Sequence, residues 1–330
     1  MIRLLKWAVG VVLVLTLAPL AVFRLSTLLR EHQTAMAAAP ASGHYVPAGD
    51  VRIFVQEEGP AGGLPVVLIH GFGAWSETWK RTMSVLAAHG FRAIALDVPP
   101  FGFSEKVTDG SFSRQEQARR ILRVLDSLQV GQVALAGHSI GGRPTIEAAL
   151  LAPDRIKALI LVDVALGFGS DGQLEQNHPG LAARTLFAIH PLRNALLSAT
   201  ATNPLLTKRL LSTFVADPNV LTPAVVAVYQ QPFQVRDSTN YLGDWLKVVS
   251  LDADTSVSSD LSNYSRLTMP TLLIWGDKDT VTPLWQAQKL KSAIPGSALS
   301  ILSGLGHIPQ IEDPARFNDA LVPFLERIHR

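Results

Sequence analysis

The 330-residue chain has no cysteine. That excludes a disulfide framework, a cysteine nucleophile and any thiolate metal centre. Charge is scarce as well: Asp, Glu, Lys and Arg make up 17% of the residues and balance to a net +2. With no Lys/Arg block, the chain lacks the cationic surface that a nucleic acid requires. No grouping of His, Asp and Glu has the spacing of a metal site, and no cofactor is expected. There is no internal repeat, which excludes solenoids and propellers.

Apolar residues are abundant, at 48% of the chain. Many lie in the uncharged run from Trp7 to Phe23, flanked by Arg3 and Lys6 before it and by Arg24 and Arg30 after it. As a helix this run spans about 25 Å, close to the hydrocarbon thickness of a bilayer. The length predicts a transmembrane helix within residues 1–30 that anchors the protein to a membrane; the nearly balanced flanking charge does not fix its orientation. The alternative is a signal sequence cleaved near Ala37-Ala38-Ala39, giving a secreted or periplasmic protein. Those alanines lie well beyond the end of the run, which favours the anchor. Residues 31–43, rich in Ala and containing Pro40, read as a linker.

A globular pattern follows. Val51–Val55 alternates like a half-exposed strand. Val66–Ile69, Ala93–Val98, Val133–Ala136, Leu159–Val164, Thr271–Trp275 and Ala298–Leu302 are short apolar runs of the kind found in strands buried on both faces. Helical patterns lie between several of them. The clearest is Ser113–Leu128, with Ile121, Leu122, Val124, Leu125 and Leu128 on one side and Arg119, Arg120 and Arg123 on the other. Alternating strands and helices predict an α/β fold: a mostly parallel sheet with helices on both faces. From Ala165 to Asn263 the pattern is helical only (Leu181–Ile189, Leu192–Ala199, Pro204–Val215, Pro223–Tyr229, Tyr241–Val249), which predicts a lid inserted into the sheet domain. The expected division is therefore a core of 44–165 and 264–330 with a helical lid of 166–263.

The chemistry centres on Gly137-His138-Ser139-Ile140-Gly141, between the run Val133–Leu135 and a helix-compatible segment. Gly-x-Ser-x-Gly at a strand-to-helix turn exposes a serine at the apex of a tight elbow, where the following N–H groups favour a developing negative charge. A nucleophilic serine needs a base, an orienting acid and oxyanion donors. His307, in Gly304-Leu305-Gly306-His307, follows the last strand and is the candidate base. Asp277 and Asp279 follow the strand Thr271–Trp275, and Asp163 ends the strand before the lid; all three are candidate acids. His70-Gly71-Phe72-Gly73 follows an early strand, where a second oxyanion donor is needed.

Together these motifs make the chain resemble the α/β-hydrolases with a serine nucleophile, of the esterase, lipase and meta-cleavage-product hydrolase type. The matching residues are His70–Gly73, Asp97–Ser104, Gly137–Gly142, Gly276–Asp279 with Pro283, and Gly306-His307 with Glu312 and Pro314. The resemblance covers about residue 50 to the C-terminus and implies an eight-stranded sheet. By position it implies Ser139 as nucleophile, His307 as base, Asp279 rather than Asp277 as acid, and the Phe72 and Ile140 N–H groups as the oxyanion hole. Pro100 departs from the family pattern, which often has Gly there. A serine at the elbow argues against the dehalogenase and epoxide hydrolase activities of the fold, which use Asp.

Gly167–Gly172 fits Gly-x-Gly-x-x-Gly, but a dinucleotide site needs a helix opening at once in the first crossover, and Asn177-His178-Pro179-Gly180 follows instead. The expected function is hydrolysis of a small hydrophobic ester or acyl substrate through an acyl-enzyme. Its alternatives are C–C bond hydrolysis of the meta-cleavage type and non-enzymatic binding on the same fold.

Overall fold

The computed structural model describes residues 2–107, 110–169, 172–174, 180–251 and 254–329; for residues 2–6, 8–14, 16 and 181–183 it describes the backbone alone. Its strands are β1 (Gly43–Pro47), β2 (Arg52–Glu58), β3 (Pro65–Ile69), β4 (Arg92–Leu96), β5 (Val133–His138), β6 (Ile156–Val162), β7 (Thr271–Gly276) and β8 (Ala298–Leu302). They form one eight-stranded sheet in the order β1-β2-β4-β3-β5-β6-β7-β8. β1 pairs with β2 and β2 with β4 antiparallel, and every other pairing is parallel. The mostly parallel α/β sheet expected from the alternating pattern is present. β1 escapes hydrophobic patterning because, of its residues, only Val46 is buried.

The central strands are buried on both faces, and their side chains divide between two cores with the period of two that a pleated strand imposes. Val67, Ile69, Leu135 and Leu161 meet the helices Arg114–Ser127, Gly142–Leu151 and Leu284–Ala293 on one face. Val66, Leu68, Ala134, Ala136 and Ile160 meet the helices Lys80–Ala88 and Pro314–His329 on the other. The helix Arg114–Ser127 starts where its sequence says it should, with the Ser113 hydroxyl accepting from the Glu116 N–H. One expectation for it fails. Arg120 belongs to the buried face, 1% exposed, because its guanidinium pairs with Asp50 and donates to Ser111 O at 2.7 Å.

Between β6 and β7 the described elements are helical, including Leu181–Ala188, His190–Ala199, Thr207–Leu211, Pro223–Gln230 and Ser238–Leu251. They follow the carboxyl end of β6, on the side of the sheet where parallel strands present their loops.

The N-terminal expectation is corrected. Ile2–Arg30 is a helix with Pro19 inside it, but among the described residues no helix is long and apolar enough to cross a membrane. The predicted transmembrane anchor, and the membrane association expected through it, do not hold. The end of this helix makes protein contacts instead. Arg24 Nη2 donates to Asn240 Oδ1 at 2.8 Å, and Arg30 Nη2 donates to Thr202 O at 2.8 Å. Thr27 is buried, and the Glu31 carboxylate, also buried, accepts from the Thr239 N–H and hydroxyl. A count of apolar residues cannot see where the last turns of a helix dock. Within 31–43, Ala35–Ala38 is a short helix and Gly43 begins β1.

Candidate active site

β5 ends at His138 and the chain turns through Ser139–Gly141 into the helix Gly142–Leu151. The positive φ of this elbow falls on Ser139 itself, at 54°, a conformation that is costly for a residue with a Cβ. The neighbouring glycines serve a different need from the backbone freedom their type suggests. A Cβ on Gly137 would stand 2.4 Å from Thr145 Oγ1, and one on Gly141 would stand 2.2 Å from His70 O. They are glycines for lack of space.

Three predicted side chains, from three strand ends, converge here. Ser139 Oγ lies 2.8 Å from His307 Nε2, and His307 Nδ1 lies 2.7 Å from Asp279 Oδ2. All three are buried, each about 5% exposed. With Asp279 accepting at Nδ1, the imidazole is held as the tautomer whose Nε2 can accept the serine proton. Burial pushes the Asp279 carboxyl up, but its bonds to His307 and Thr282 outweigh that and bring it below the ordinary value. Its Oδ1 accepts from the Val281 N–H at 2.7 Å and the Thr282 N–H at 2.9 Å, and Oδ2 from the Thr282 hydroxyl.

The other two candidate acids lie differently. Asp277 caps the turn that precedes His307, accepting from the Gly304 N–H at 2.6 Å and from Ser303 Oγ at 3.1 Å. Asp163 is buried behind Asp279, with a φ of 42°.

Phe72 and Ile140 line a cavity of about 220 Å³ together with Ser139, His307, Ala165, Phe214, Tyr229 and Ile308. Phe72 follows β3 and Ile140 follows Ser139 directly, so both backbones border the serine where an oxyanion would form. The Phe72 loop is held by His70. Its Nδ1 donates to Gly71 O at 2.8 Å and its Nε2 accepts from the Val98 N–H at 3.0 Å. Burial lowers the His70 pKa to about 4, so the ring stays neutral. In the loop Asp97–Ser104, Pro100 joins Pro99 through a cis bond. Asp97 accepts from the Ser76 and Phe103 N–H groups, each at 2.7 Å. Glu312 fixes the His307 loop by accepting from the Gly306 N–H at 2.9 Å and the Ala216 N–H at 2.8 Å.

Two groups that sequence reasoning does not single out line an adjoining cavity of about 120 Å³, which shares Ile140 with the first. Its charged lining consists of Arg114, Arg143 and Asp254. Arg114 Nη2 pairs with Asp254 at 2.8 Å. Arg143 donates from Nε to Ala165 O at 2.8 Å, and among the described residues no carboxylate lies within ion-pair distance of it. Burial, then the charge of Arg114, lowers its pKa to about 10, so it remains a cation at neutral pH. Among the described residues two guanidiniums therefore face one carboxylate in this cavity. Phe72, Phe101 and Trp245 pack beside it with ring centroids 5.2–5.8 Å apart.

Gly167–Gly172 lies partly outside the described residues; within the described part Phe168 forms an antiparallel bridge with Leu174.

Comparison with known proteins agrees with this architecture. The model of the α/β hydrolase fold family matches residues 65–314. A 2-hydroxy-6-oxononadienedioate/2-hydroxy-6-oxononatrienedioate hydrolase of Cupriavidus pinatubonensis is 31% identical over 281 residues, covering 84% of this chain and 91% of the relative. The uncharacterized hydrolase YugF of Bacillus subtilis is 26% identical over 277 residues, covering 84% and 95%. Among solved structures, a bromoperoxidase from Bacillus anthracis superposes with a TM-score of 0.69 at 21% identity, covering 86% of this chain and 100% of that one; this likeness concerns the fold alone.

Proposed function

The chain belongs to the α/β hydrolase fold family and is a hydrolase, and from that premise we propose that it cleaves a C–C bond in a carboxylate-bearing vinylogous diketone. The 2-hydroxy-6-oxo dioates named for its relatives are of this chemical kind. The observation that carries the reading is the cationic cavity beside Ser139. Among the described residues Arg143 and Arg114 share the single carboxylate of Asp254, and guanidiniums drawn out of bulk water with too little negative charge beside them are costly unless a ligand supplies an anion. Ala165 ties the two regions together: its N–H donates to Ser139 O at 2.9 Å while its carbonyl accepts from Arg143 Nε at 2.8 Å.

In this reading the 2-hydroxy-6-oxo dienoate first shifts its enol proton to C5. That gives the 2,6-diketo tautomer, in which the bond to be broken is conjugated with the C2 carbonyl. Ser139 Oγ then gives its proton to His307 and adds to the C6 keto carbon. The Phe72 and Ile140 N–H groups hold the oxyanion, and one such donor is worth about 3 kcal/mol. Collapse breaks the adjacent C–C bond. The released electron pair spreads through the conjugated system and is quenched by the proton from His307. Water, deprotonated by His307, then frees the acid from Ser139, and Asp279 stabilises the imidazolium in both half-reactions. The segment between β6 and β7 acts as the lid, since it contributes Phe214, in the turn after Thr207–Leu211, and Tyr229, in the helix Pro223–Gln230, to the cavity wall.

A second reading, hydrolysis of a hydrophobic ester by the same residues, is favoured by the apolar wall of Phe72, Phe214, Tyr229 and Ile308 around Ser139. A substrate panel separates the two. The first reading expects turnover of a 2-hydroxy-6-oxo dienoate, with a large loss when its carboxylate is masked as a methyl ester. Turnover of neutral acyl esters alone would overturn it in favour of the second.

A further inference from the structure

Asp163 is a buried carboxyl that the reaction described above does not use. It ends β6 with its side chain enclosed, 0% exposed, and its φ of 42° is one that Asp and Asn tolerate better than other residues with a Cβ. Its Oδ1 accepts from the Gly276 N–H at 2.9 Å. Its Oδ2 is buried and has no donor within reach. One polar oxygen each of Asp163 and Asp279, together with a ring nitrogen of His307, lie within 4.8 Å of one another.

An ionised Asp163 would be a poor occupant of this place. It would hold a charge on one N–H bond, with no cation of its own, beside the carboxylates of Asp279 and Glu312. Two carboxylates so close together do not both ionise without a large penalty. A proton on Oδ2 removes the charge and turns the orphaned acceptor into a donor. We propose that Asp163 is a positioning residue that stays protonated at neutral pH and donates its carboxyl O–H to Asp279. Burial first, and the neighbouring Asp279 second, push Asp163 well above the ordinary carboxyl range, in the direction this pairing requires.

Asp279 has room for the extra donor. Its four acceptor positions are taken by the Val281 N–H, the Thr282 N–H, the Thr282 hydroxyl and His307 Nδ1. The Thr282 hydroxyl has a second acceptor in Asp163 O at 3.3 Å, so it can turn and free a lone pair on Oδ2. Among the described residues the charged and titratable groups facing the pair are then His307, Glu312 and His138, whose ring is tilted against that of His307 with centroids 5.2 Å apart. With Asp163 neutral, His307 sees a single negative charge. The added bond also lowers the basicity of Asp279, which keeps the Nδ1 proton on the imidazole.

This inference rests on Asp279 being the triad acid for its functional meaning, but protonation of Asp163 is measurable without turnover. Infrared difference spectra of the resting protein at pH 7, wild type against Asp163→Asn, are expected to show a protonated-carboxyl C=O stretch that the variant lacks. A difference confined to carboxylate bands would overturn the proposal. Asn keeps a donor toward Asp279 and an acceptor for Gly276, whereas Asp163→Leu keeps neither. Asp163→Asn should therefore leave kcat within a few-fold and the acid limb of kcat/KM in place, while Asp163→Leu lowers kcat on the order of 10- to 100-fold with little change in KM. A shifted acid limb in Asp163→Asn would mean that a charge had been removed, and would contradict a neutral Asp163. If Asp279→Asn left turnover intact, the triad assignment would fail while the infrared result still stood.

Discussion

The carbonyl oxygen of His70 stands 2.2 Å from the point where a Cβ on Gly141 would lie. The loop carrying Phe72 is thus pressed against the turn carrying Ser139, and the two proposed oxyanion donors keep their spacing because nothing separates these backbones. Gly141→Ala is expected to force them apart. It should cost about 1–3 kcal/mol in stability, as overpacking does, and on the order of 10²-fold in kcat/KM through misplacement. Gly62→Ala, at a position with nothing within 4 Å, should change neither. Thermal unfolding and steady-state kinetics of the two variants check this.

Asp279 and Asp277 are two residues apart in the chain but have separate partners, His307 for the one and the Gly304 turn for the other. Asp279→Asn leaves His307 without its orienting charge and should lower kcat by about 10⁴ while KM changes little. Asp277→Asn loosens the turn at Gly304 and should keep most of the activity. Equal losses in the two variants would contradict the assignment.

The Arg143 guanidinium is expected to discriminate among substrates. A charge-assisted hydrogen bond contributes about 1.5–3 kcal/mol, so Arg143→Met should raise KM for a carboxylate-bearing substrate by roughly 10- to 100-fold. For a neutral ester the change should be within a few-fold. A uniform effect on both substrates would remove Arg143 from recognition.

His138 gives a stability prediction whose sign follows from its burial. Burial first, and the charge of His307 second, lower its pKa from the ordinary 6.5 to about 3, so the native ring stays neutral while the unfolded one binds a proton. Between those values the native state loses about 1.4 kcal/mol per pH unit as pH falls. Asp97, raised by burial to about 6, acts in the opposite sense, so the comparison must be with a variant. Wild type should lose stability relative to His138→Gln with that slope between about pH 6 and 4. Denaturant unfolding at several pH values measures it, and parallel curves would refute a neutral His138.

Much of this site was legible in the sequence because its chemistry sits at strand ends, where apolar runs give way to glycine and one polar residue. Ser139, His307 and Asp279 all stand at such breaks, and so does the Phe72 loop. What stayed hidden depends on partners distant in the chain. Arg120 looks like a surface residue until Asp50, some 70 positions earlier, is found beside it. Arg143 has no local signal either, since its meaning comes from Arg114 and Asp254 across the cavity. The N-terminal run misled for a related reason: Arg24 and Arg30 look like the flank of an anchor, yet their partners are Asn240 and Thr202.

The most direct test of the account is covalent. Incubation with a fluorophosphonate, followed by intact-mass and peptide analysis, should yield a single phosphonylated residue, Ser139. Labelling should be abolished in Ser139→Ala and strongly slowed in His307→Ala. An unlabelled but folded wild type, or labelling that persists in Ser139→Ala, would contradict the assignment of Ser139 as the nucleophile.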